Sequence, residues 1–99
     1  MNWQHHHATI NGIHMHYVEQ GEGMPVMLCH GFPHLWFSWH RQISALAAAG
    51  YRVIAPDMRG MGQTEAPPDP SAYDIDHITG DLLGLLDRAI GTLPAEWAD

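Results

Sequence analysis

The segment His30-Gly31-Phe32-Pro33 decides how the rest of this chain is arranged. It follows a short apolar run, Pro25–Cys29, that is typical of a buried strand, and it precedes a helical pattern that ends near Gly50. The segment therefore forms a strand-to-helix turn at the carboxyl edge of a sheet, where open α/β sheets bind ligands. A glycine there lets backbone amides approach a ligand, and a proline stiffens the loop. The segment is either only a tight connection or an oxyanion hole that uses the Phe32 amide.

The residues before this turn predict a β-hairpin. Asn11-Gly12 lies between the β-type runs Ala8–Ile10 and Ile13–Glu19, and Asn-Gly is the strongest short hairpin signal. His5-His6-His7 precede the first run and are left outside the predicted fold. In the second strand, alternation places Ile13, Met15, Tyr17 and Glu19 on one face and His14, His16 and Val18 on the other.

The residues after the turn predict a βαβ unit and one further helix. A helix over about Leu35–Ala49 leads to a second buried strand, Tyr51–Ala55, which implies parallel strands and a right-handed crossover. The last helix begins near Asp74 or Asp76, either of which can cap it, and ends at Gly91. The predicted fold class is α/β, with these elements in one domain because 99 residues can bury only one small core.

Composition excludes several classes of partner. A net charge of −7 with only four basic residues argues against nucleic acid and anionic membranes. The single cysteine, Cys29, excludes an internal disulfide and is expected to be buried and inert. The first residues lack the pattern of a signal peptide, and no apolar run approaches the ~20 residues of a membrane span. We expect a cytoplasmic protein without a cofactor.

A second motif, Asp57-Met58-Arg59-Gly60-Met61-Gly62-Gln63-Thr64, follows the second buried strand. Together with His30-Gly31-Phe32-Pro33 it resembles the α/β-hydrolase superfamily, which has an H-G-x-P turn after strand three and a D-x-R-G-x-G-x-S/T loop after strand four. Phe32 at the variable position, the tryptophans Trp36 and Trp39, and Ala66-Pro67 are most similar to the epoxide hydrolase branch. The resemblance covers nearly the whole chain, and it implies the N-terminal part of this fold with sheet order 1-2-4-3.

The resemblance implies a role for each matching residue. Phe32 would donate its backbone amide to the oxyanion that forms when an alkyl–enzyme ester is hydrolysed. Gly31 and Pro33 would support the turn, and His30 would be a structural hydrogen-bonding residue rather than the catalytic base. Trp36 would line the substrate pocket, although its spacing from Trp39 also fits simple core packing. The residues that would brace the neighbouring loop are Asp57, Arg59, Gly60 and Gly62.

Other motifs of the family are missing from these residues. In such enzymes a nucleophilic Asp lies at an elbow after strand five, and an acid and a His base follow later. Thr92–Asp99 contain no Gly-x-Asp-x-Gly pattern, so we expect residues 1–99 to be a partial domain that is inactive alone. The predicted parent opens a small-molecule epoxide through an alkyl–enzyme ester. A haloacid dehalogenase that uses the same nucleophile logic is the close alternative.

The nine histidines raise a different hypothesis, a non-catalytic histidine-rich interaction module. His14 and His16 share a strand face, and His5 and His7 share one if their segment is extended. No cysteine or carboxylate at ligand spacing completes a metal site, so we expect solvated strand histidines and no metal.

The sheet order implied by the resemblance also predicts an exposed edge. Strand five would normally cover strand three, so here Pro25–His30 would form the open edge of a four-stranded sheet. The apolar residues of this edge carry no charge, and such an edge is a template for pairing with another chain. We therefore expect self-association through this strand.

Overall fold

A four-stranded mixed sheet with one helix on each face forms the core of the computed structural model, which describes residues 3–29 and 36–90. The strands are β1 (His5–Ile10), β2 (Ile13–Gln20), β3 (Met24–Met27) and β4 (Tyr51–Pro56), and the helices are α1 (His40–Ala48) and α2 (Ile75–Ile90). Short 3-10 helices precede each α-helix, at Trp36–Trp39 and Pro70–Tyr73.

The predicted hairpin is present and is longer than expected. Asn11 and Gly12 have φ values of +52° and +80°, which is the left-handed pair that a type I′ turn between two strands requires. The register runs from Ile10 opposite Ile13 to His5 opposite Val18. His5-His6-His7, which the sequence analysis left outside the fold, thus form the first half of β1.

The sheet order is β1-β2-β4-β3, which confirms the predicted order. Strand β2 pairs antiparallel with β1 and β4, whereas β3 pairs parallel with β4. The chain between β3 and β4 contains α1, so these three elements form the predicted βαβ unit. Strand β3 therefore lies at one edge of the described sheet.

Each face of the sheet buries a separate apolar cluster. The cluster beneath α2 is built on Ile10, Ile13, Met15, Tyr17, Ile54 and Leu85, and the cluster beneath α1 on Val18, Trp36, Ile43, Val53 and Ala55. Helix α2 can approach the hairpin closely because Gly80 and Gly84 have no Cβ atoms. A Cβ at either position would lie within 3 Å of Asn11 or Ile10. Met15–Val18 of β2 and Val53–Pro56 of β4 are consequently buried on both faces of the sheet.

Asp74 caps the start of α2. The sequence had allowed either Asp74 or Asp76 as the capping residue. The Asp74 carboxylate accepts a hydrogen bond from the His77 backbone N–H at 2.9 Å, in the manner of an N-cap residue. Asp76 instead lies within the first turn of α2, where its charge also suits the positive end of the helix.

Two burial predictions were wrong. Cys29 was expected to be buried but is exposed, because β3 ends at Met27 and the chain leaves the sheet. Nearby groups still raise the pKa of its thiol by desolvation, so it stays protonated and a poor nucleophile. His16 was expected to be solvated but is fully buried, because the 3-10 helix and the loop after β4 cover its face of β2.

Candidate active-site framework

The turn that the sequence analysis singled out, residues 30–33, lies outside the described residues. The predictions for His30, Gly31, Phe32 and Pro33 therefore stay predictions. What the structure describes is the framework on either side of that turn, at the carboxyl ends of β3 and β4. Its central residue is Asp57, which directly follows β4.

The Asp57 carboxylate is only 1% exposed and accepts hydrogen bonds from three different segments. Its Oδ1 atom accepts from the Trp36 backbone N–H at 3.0 Å. Its Oδ2 atom accepts from the His16 ring nitrogen Nδ1 at 2.8 Å and from the Gln63 backbone N–H at 3.1 Å. A buried carboxylate requires such compensation, because an isolated charge in an apolar interior is very costly.

The two glycines of the loop after β4 allow this close packing. Gly62 has a φ of +54°, and a Cβ there would overlap the Asp57 carboxylate. Gly60 has a φ of +82°, and a Cβ there would press on the Tyr73 ring. The loop thus needs glycine at both positions for backbone conformation and for space.

Arg59 ties the same loop to α2 through a buried ion pair. Its Nε and Nη2 atoms donate to the two oxygens of Asp81 at 2.9 and 2.8 Å, and its Nη1 atom donates to the Ala72 carbonyl at 2.6 Å. Both side chains of the pair are at most 3% exposed, and the hydrogen bonds to Asp81 raise the pKa of Arg59. The Asn11 side chain also donates to Asp81 at 2.9 Å, which links the hairpin to the pair.

Thr64 connects the end of the loop to β2. Its hydroxyl donates to the Asp57 carbonyl at 2.7 Å and accepts from the His16 backbone N–H at 3.0 Å. The next residue continues the contact, because the Glu65 backbone N–H donates to the His14 carbonyl at 2.8 Å. The loop is therefore held along β2 as well as at Asp57.

His16 lies inside this framework and not in solvent. Its Nδ1 atom faces Asp57, and its Nε2 atom lies 2.8 Å from Nδ1 of His5 on the neighbouring strand. Burial lowers the pKa of His16, against the opposing effect of Asp57. The His16 ring also stacks against the ring of His5 at a centroid distance of 5.1 Å and makes a tilted contact with the ring of His7 at 4.9 Å.

Trp36, the predicted substrate contact, begins the 3-10 helix that follows the turn. Its ring is 9% exposed and makes edge contacts with Trp3 at 5.3 Å and with His5 at 5.4 Å. These contacts place most of the ring in the cluster beneath α1. Its role toward a substrate stays a prediction.

Within residues 3–29 and 36–90, no group of three or more His, Cys, Asp or Glu side chains could hold a metal ion. Within the same ranges, no helix is long and apolar enough to cross a membrane. An open polar depression lined by Gln4, Glu19 and Arg52 lies at the end of β4 opposite to Asp57.

Comparison with known proteins assigns this framework to a family. A sequence model of the alpha/beta hydrolase fold matches residues 24–91. The chain belongs to the α/β-hydrolase family. Within this family, the chain is 56% identical to Epoxide hydrolase 1 of Siraitia grosvenorii over 84 residues. This aligned region covers 83% of this chain and 27% of that protein. The chain is 53% identical over 89 residues to Epoxide hydrolase A of Mycobacterium tuberculosis, covering 88% of this chain and 27% of that one.

Solved structures give the same assignment. The chain superimposes on the crystal structure of an epoxide hydrolase from Vigna radiata with a TM-score of 0.86 and 50% sequence identity, over 88% of this chain and 28% of that one. These residues thus span about a quarter of the length of the α/β-hydrolases that they match. The similarity confirms the predicted family and its epoxide hydrolase-like branch.

Two polar residues of this α/β-hydrolase framework, His16 and Asp81, were not predicted from the sequence, and Thr64 was predicted only as the end of the second motif. A signal for Asp81 was present, because it lies three residues after Ile78 and four before Leu85 on the apolar face of α2. A carboxylate in that position needs a buried partner. His16 had a similar signal, since it shares a strand face with the buried Val18.

Proposed function

We propose that these residues form the oxyanion-hole part of an epoxide hydrolase. The observation that carries the proposal is the hydrogen bond from the Trp36 backbone N–H, three residues after Pro33 in the sequence, to the buried Asp57 carboxylate. In this proposal Phe32 donates its backbone N–H to the oxyanion, Gly31 and Pro33 shape the turn, and His30 supports it. Identity of about half to epoxide hydrolases supports the assignment.

The proposed reaction of the whole protein adds water to an epoxide in two steps. A carboxylate nucleophile contributed by residues beyond this framework attacks one epoxide carbon. The C–O bond breaks, the ring oxygen takes a proton from an acid that also lies beyond this framework, and an alkyl–enzyme ester remains. Water gives a proton to a base beyond this framework and attacks the ester carbonyl, and the negative charge that develops on the carbonyl oxygen is stabilised by the Phe32 amide. When this intermediate collapses, the ester C–O bond breaks, the departing alkoxide takes up the proton from the base, and the carboxylate and a diol are formed.

The remaining framework residues have a supporting role in this proposal. Asp57, Arg59, Gly60 and Gly62 hold the loop beside the turn, as their contacts require. Rigid support matters because an oxyanion donor must already point at the position where charge develops. Trp36 would contribute the backbone amide described above and part of a pocket wall.

We also propose that the whole protein is located in the cytoplasm.

The first test uses the 99-residue chain alone. We expect no conversion of styrene oxide to its diol above the buffer rate, because one amide donor cannot replace a nucleophile and a base. Product is measured by chromatography, with the complete Siraitia enzyme as the positive control. Diol formation that is abolished by Asp57→Asn would mean that the chemistry resides in this framework after all.

The second test grafts this chain into a complete relative. The 84 matching residues of Epoxide hydrolase 1 of Siraitia grosvenorii are replaced by those of this chain. We expect the chimera to form diol. Phe32→Pro removes the amide donor and should lower kcat by about 100-fold or more, the effect of losing one oxyanion-hole donor, whereas Phe32→Leu keeps the amide and serves as the control.

The same chimera separates the alternatives. Halide release from a haloacid in place of diol formation would favour the dehalogenase alternative. A folded chimera that hydrolyses neither substrate would contradict the proposed function.

A further inference from the structure

Four groups form a continuous hydrogen-bonded chain from the surface of β1 to the edge of the turn. His5 Nδ1 lies 2.8 Å from His16 Nε2, and His16 Nδ1 lies 2.8 Å from Asp57 Oδ2. Asp57 Oδ1 in turn accepts the Trp36 backbone N–H at 3.0 Å. This series of hydrogen bonds joins β1, β2, the loop after β4 and the 3-10 helix that follows the turn.

Simple chemistry fixes the direction of each hydrogen bond. An ionised carboxylate only accepts, so Nδ1 of His16 must carry a proton. A neutral imidazole with a proton on Nδ1 has an acceptor at Nε2, so Nδ1 of His5 must be the donor in the next bond. A second proton on His16 would reverse this bond, with Nε2 of His16 donating to an unprotonated Nδ1 of His5. The hydrogen bonds therefore fix the proton on Nδ1 of His16, and the burial of the ring decides its charge.

The surroundings of His16 agree with a neutral ring. The side chain is fully buried, and burial lowers its pKa. The ring is held between neighbours, with Trp36 at a centroid distance of 6.4 Å and the rings of His5 and His7 at about 5 Å. A ring so confined cannot rotate away from Asp57 without opening the cluster beneath α1.

We propose that His16 is a positioning residue for the oxyanion turn. It fixes the Asp57 carboxylate so that the other carboxylate oxygen anchors the Trp36 amide, three residues after Pro33. His5 supports the same tautomer of His16, because its Nδ1 atom faces the Nε2 atom of His16. This assignment rests on the proposed function of the turn, and it adds two residues that the sequence motifs do not contain.

The direct test is NMR of the 99-residue chain with labelled histidines. Long-range nitrogen–proton correlations distinguish the two neutral tautomers of His16 without any substitution. At pH 7.5 we expect the Nδ1–H form, with its proton shifted downfield by the bond to Asp57. The Nε2–H form, or a charged ring, would overturn the proposal whatever the variants show.

Hydrogen exchange of the Trp36 amide tests the coupling. His16→Leu should speed this exchange by more than about tenfold relative to the amides of β4, and His5→Ala should speed it by about two- to tenfold, the effect of one ordinary hydrogen bond. His16→Asn keeps a donor near the Nδ1 position and should restore slow exchange. His14→Asn, an exposed change on the same strand, is the matched control.

The exchange rate of the Trp36 amide is compared with the rates of the β4 amides. This comparison separates local release of Trp36 from a loss of global stability, which would speed exchange at both places. If His16→Leu does not fold, the wild-type tautomer and His5→Ala still decide the question. Trp36 exchange in His5→Ala that matches His14→Asn would contradict the proposal.

Kinetics in the chimera distinguish this inference from the proposed function. There His16→Leu should lower kcat with little change in KM, and His16→Asn should recover most of the loss. An inactive chimera with the expected tautomer and exchange pattern would refute the proposed function and leave the positioning contact intact. An active chimera that is insensitive to His16→Leu would refute the positioning role alone.

Discussion

Gly62 lies with a φ of +54° directly against the Asp57 carboxylate, whereas Gly50 has a φ of +96° and open space where a Cβ would be. Gly50→Ala should therefore lower the free energy of unfolding only by the penalty of placing alanine in a left-handed backbone conformation, about 1–2 kcal/mol. Gly62→Ala should cost about 2 kcal/mol more, because displacing Asp57 weakens hydrogen bonds to a charged group. Urea unfolding of both variants measures the difference, and equal losses would show that the loop yields without disturbing Asp57.

Asp81 offers a second test at the level of one side chain. Asp81→Asn leaves the buried guanidinium of Arg59 without its counter-charge and should cost about 3–5 kcal/mol, which would unfold a chain of marginal stability. The control is Glu19→Gln, which breaks the pair with Arg52. That pair is 19–29% exposed and should contribute less than about 1 kcal/mol.

Circular dichroism and urea unfolding read out both variants. A cooperative transition for Asp81→Asn at the same midpoint as Glu19→Gln would contradict the importance assigned to the buried pair. Asp81→Leu combined with Arg59→Met removes both charges, and it should recover part of the lost stability because no uncompensated charge remains.

At the scale of elements, β3 is the edge strand of the described sheet, and Met24 on this strand is 70% exposed. We expect concentration-dependent self-association through this edge, because an uncharged edge strand pairs readily with another chain. Met24→Lys should weaken the association measured by sedimentation. Ile75→Lys on α2 is the matched control, since Ile75 is also 70% exposed but lies away from the edge. Equal effects of the two variants would place the contact elsewhere.

The secondary-structure elements and the parallel strand pair followed from local patterns, whereas the sheet order came from the resemblance to the α/β-hydrolases. Asn11-Gly12 with alternating runs identified the hairpin, and the strand–helix–strand order identified the parallel pair. The boundaries moved by a few residues: β1 starts at His5 because the histidines pair with β2, and β3 ends at Met27. Local patterns could not show this, because the extent of a strand depends on its partner.

The interior of the candidate site was harder to predict than the elements. The D-x-R-G-x-G motif located Asp57 and Arg59, but not the partners of these residues. His16 and Asp57 are 41 residues apart in sequence, and Arg59 and Asp81 are 22 apart. A contact over such a distance depends on how the sheet and α2 pack. Alternation in β2 placed His16 on one face of the strand, but that face is buried only because the 3-10 helix with Trp36 and the loop after β4 pack against it.

At the scale of the whole molecule, the buried His16 makes stability depend on pH. Its pKa is lowered in the folded state from the ordinary value of about 6.5. The unfolded chain therefore binds a proton below about pH 6.5 that the folded chain does not, so this contribution to stability is complete above that pH and is lost on acidification. The slope for one proton is at most about 1.4 kcal/mol per pH unit.

Urea midpoints between pH 7.5 and 5 measure this dependence. His16→Asn should flatten the curve over this range, whereas His14→Asn should keep the wild-type slope relative to its own value at pH 7.5. Asp69 and Asp74 have lowered pKa values and titrate at still lower pH, outside the window. A wild-type slope in His16→Asn would assign the acid sensitivity to other groups.

The hydrogen bond from Asn11 to Asp81 joins residues 70 positions apart in the sequence. During synthesis, Asp81 is therefore added to the chain well after Asn11. A ribosome that adds about 5–20 residues per second makes Asp81 roughly 4–14 s after Asn11. A hairpin forms in about 1–10 μs, so β1 and β2 can pair long before α2 exists to cover them. During those seconds the nascent hairpin exposes Ile10, Ile13 and Met15 to water. Chaperones that recognise short apolar strands should bind this chain early and release it once α2 emerges.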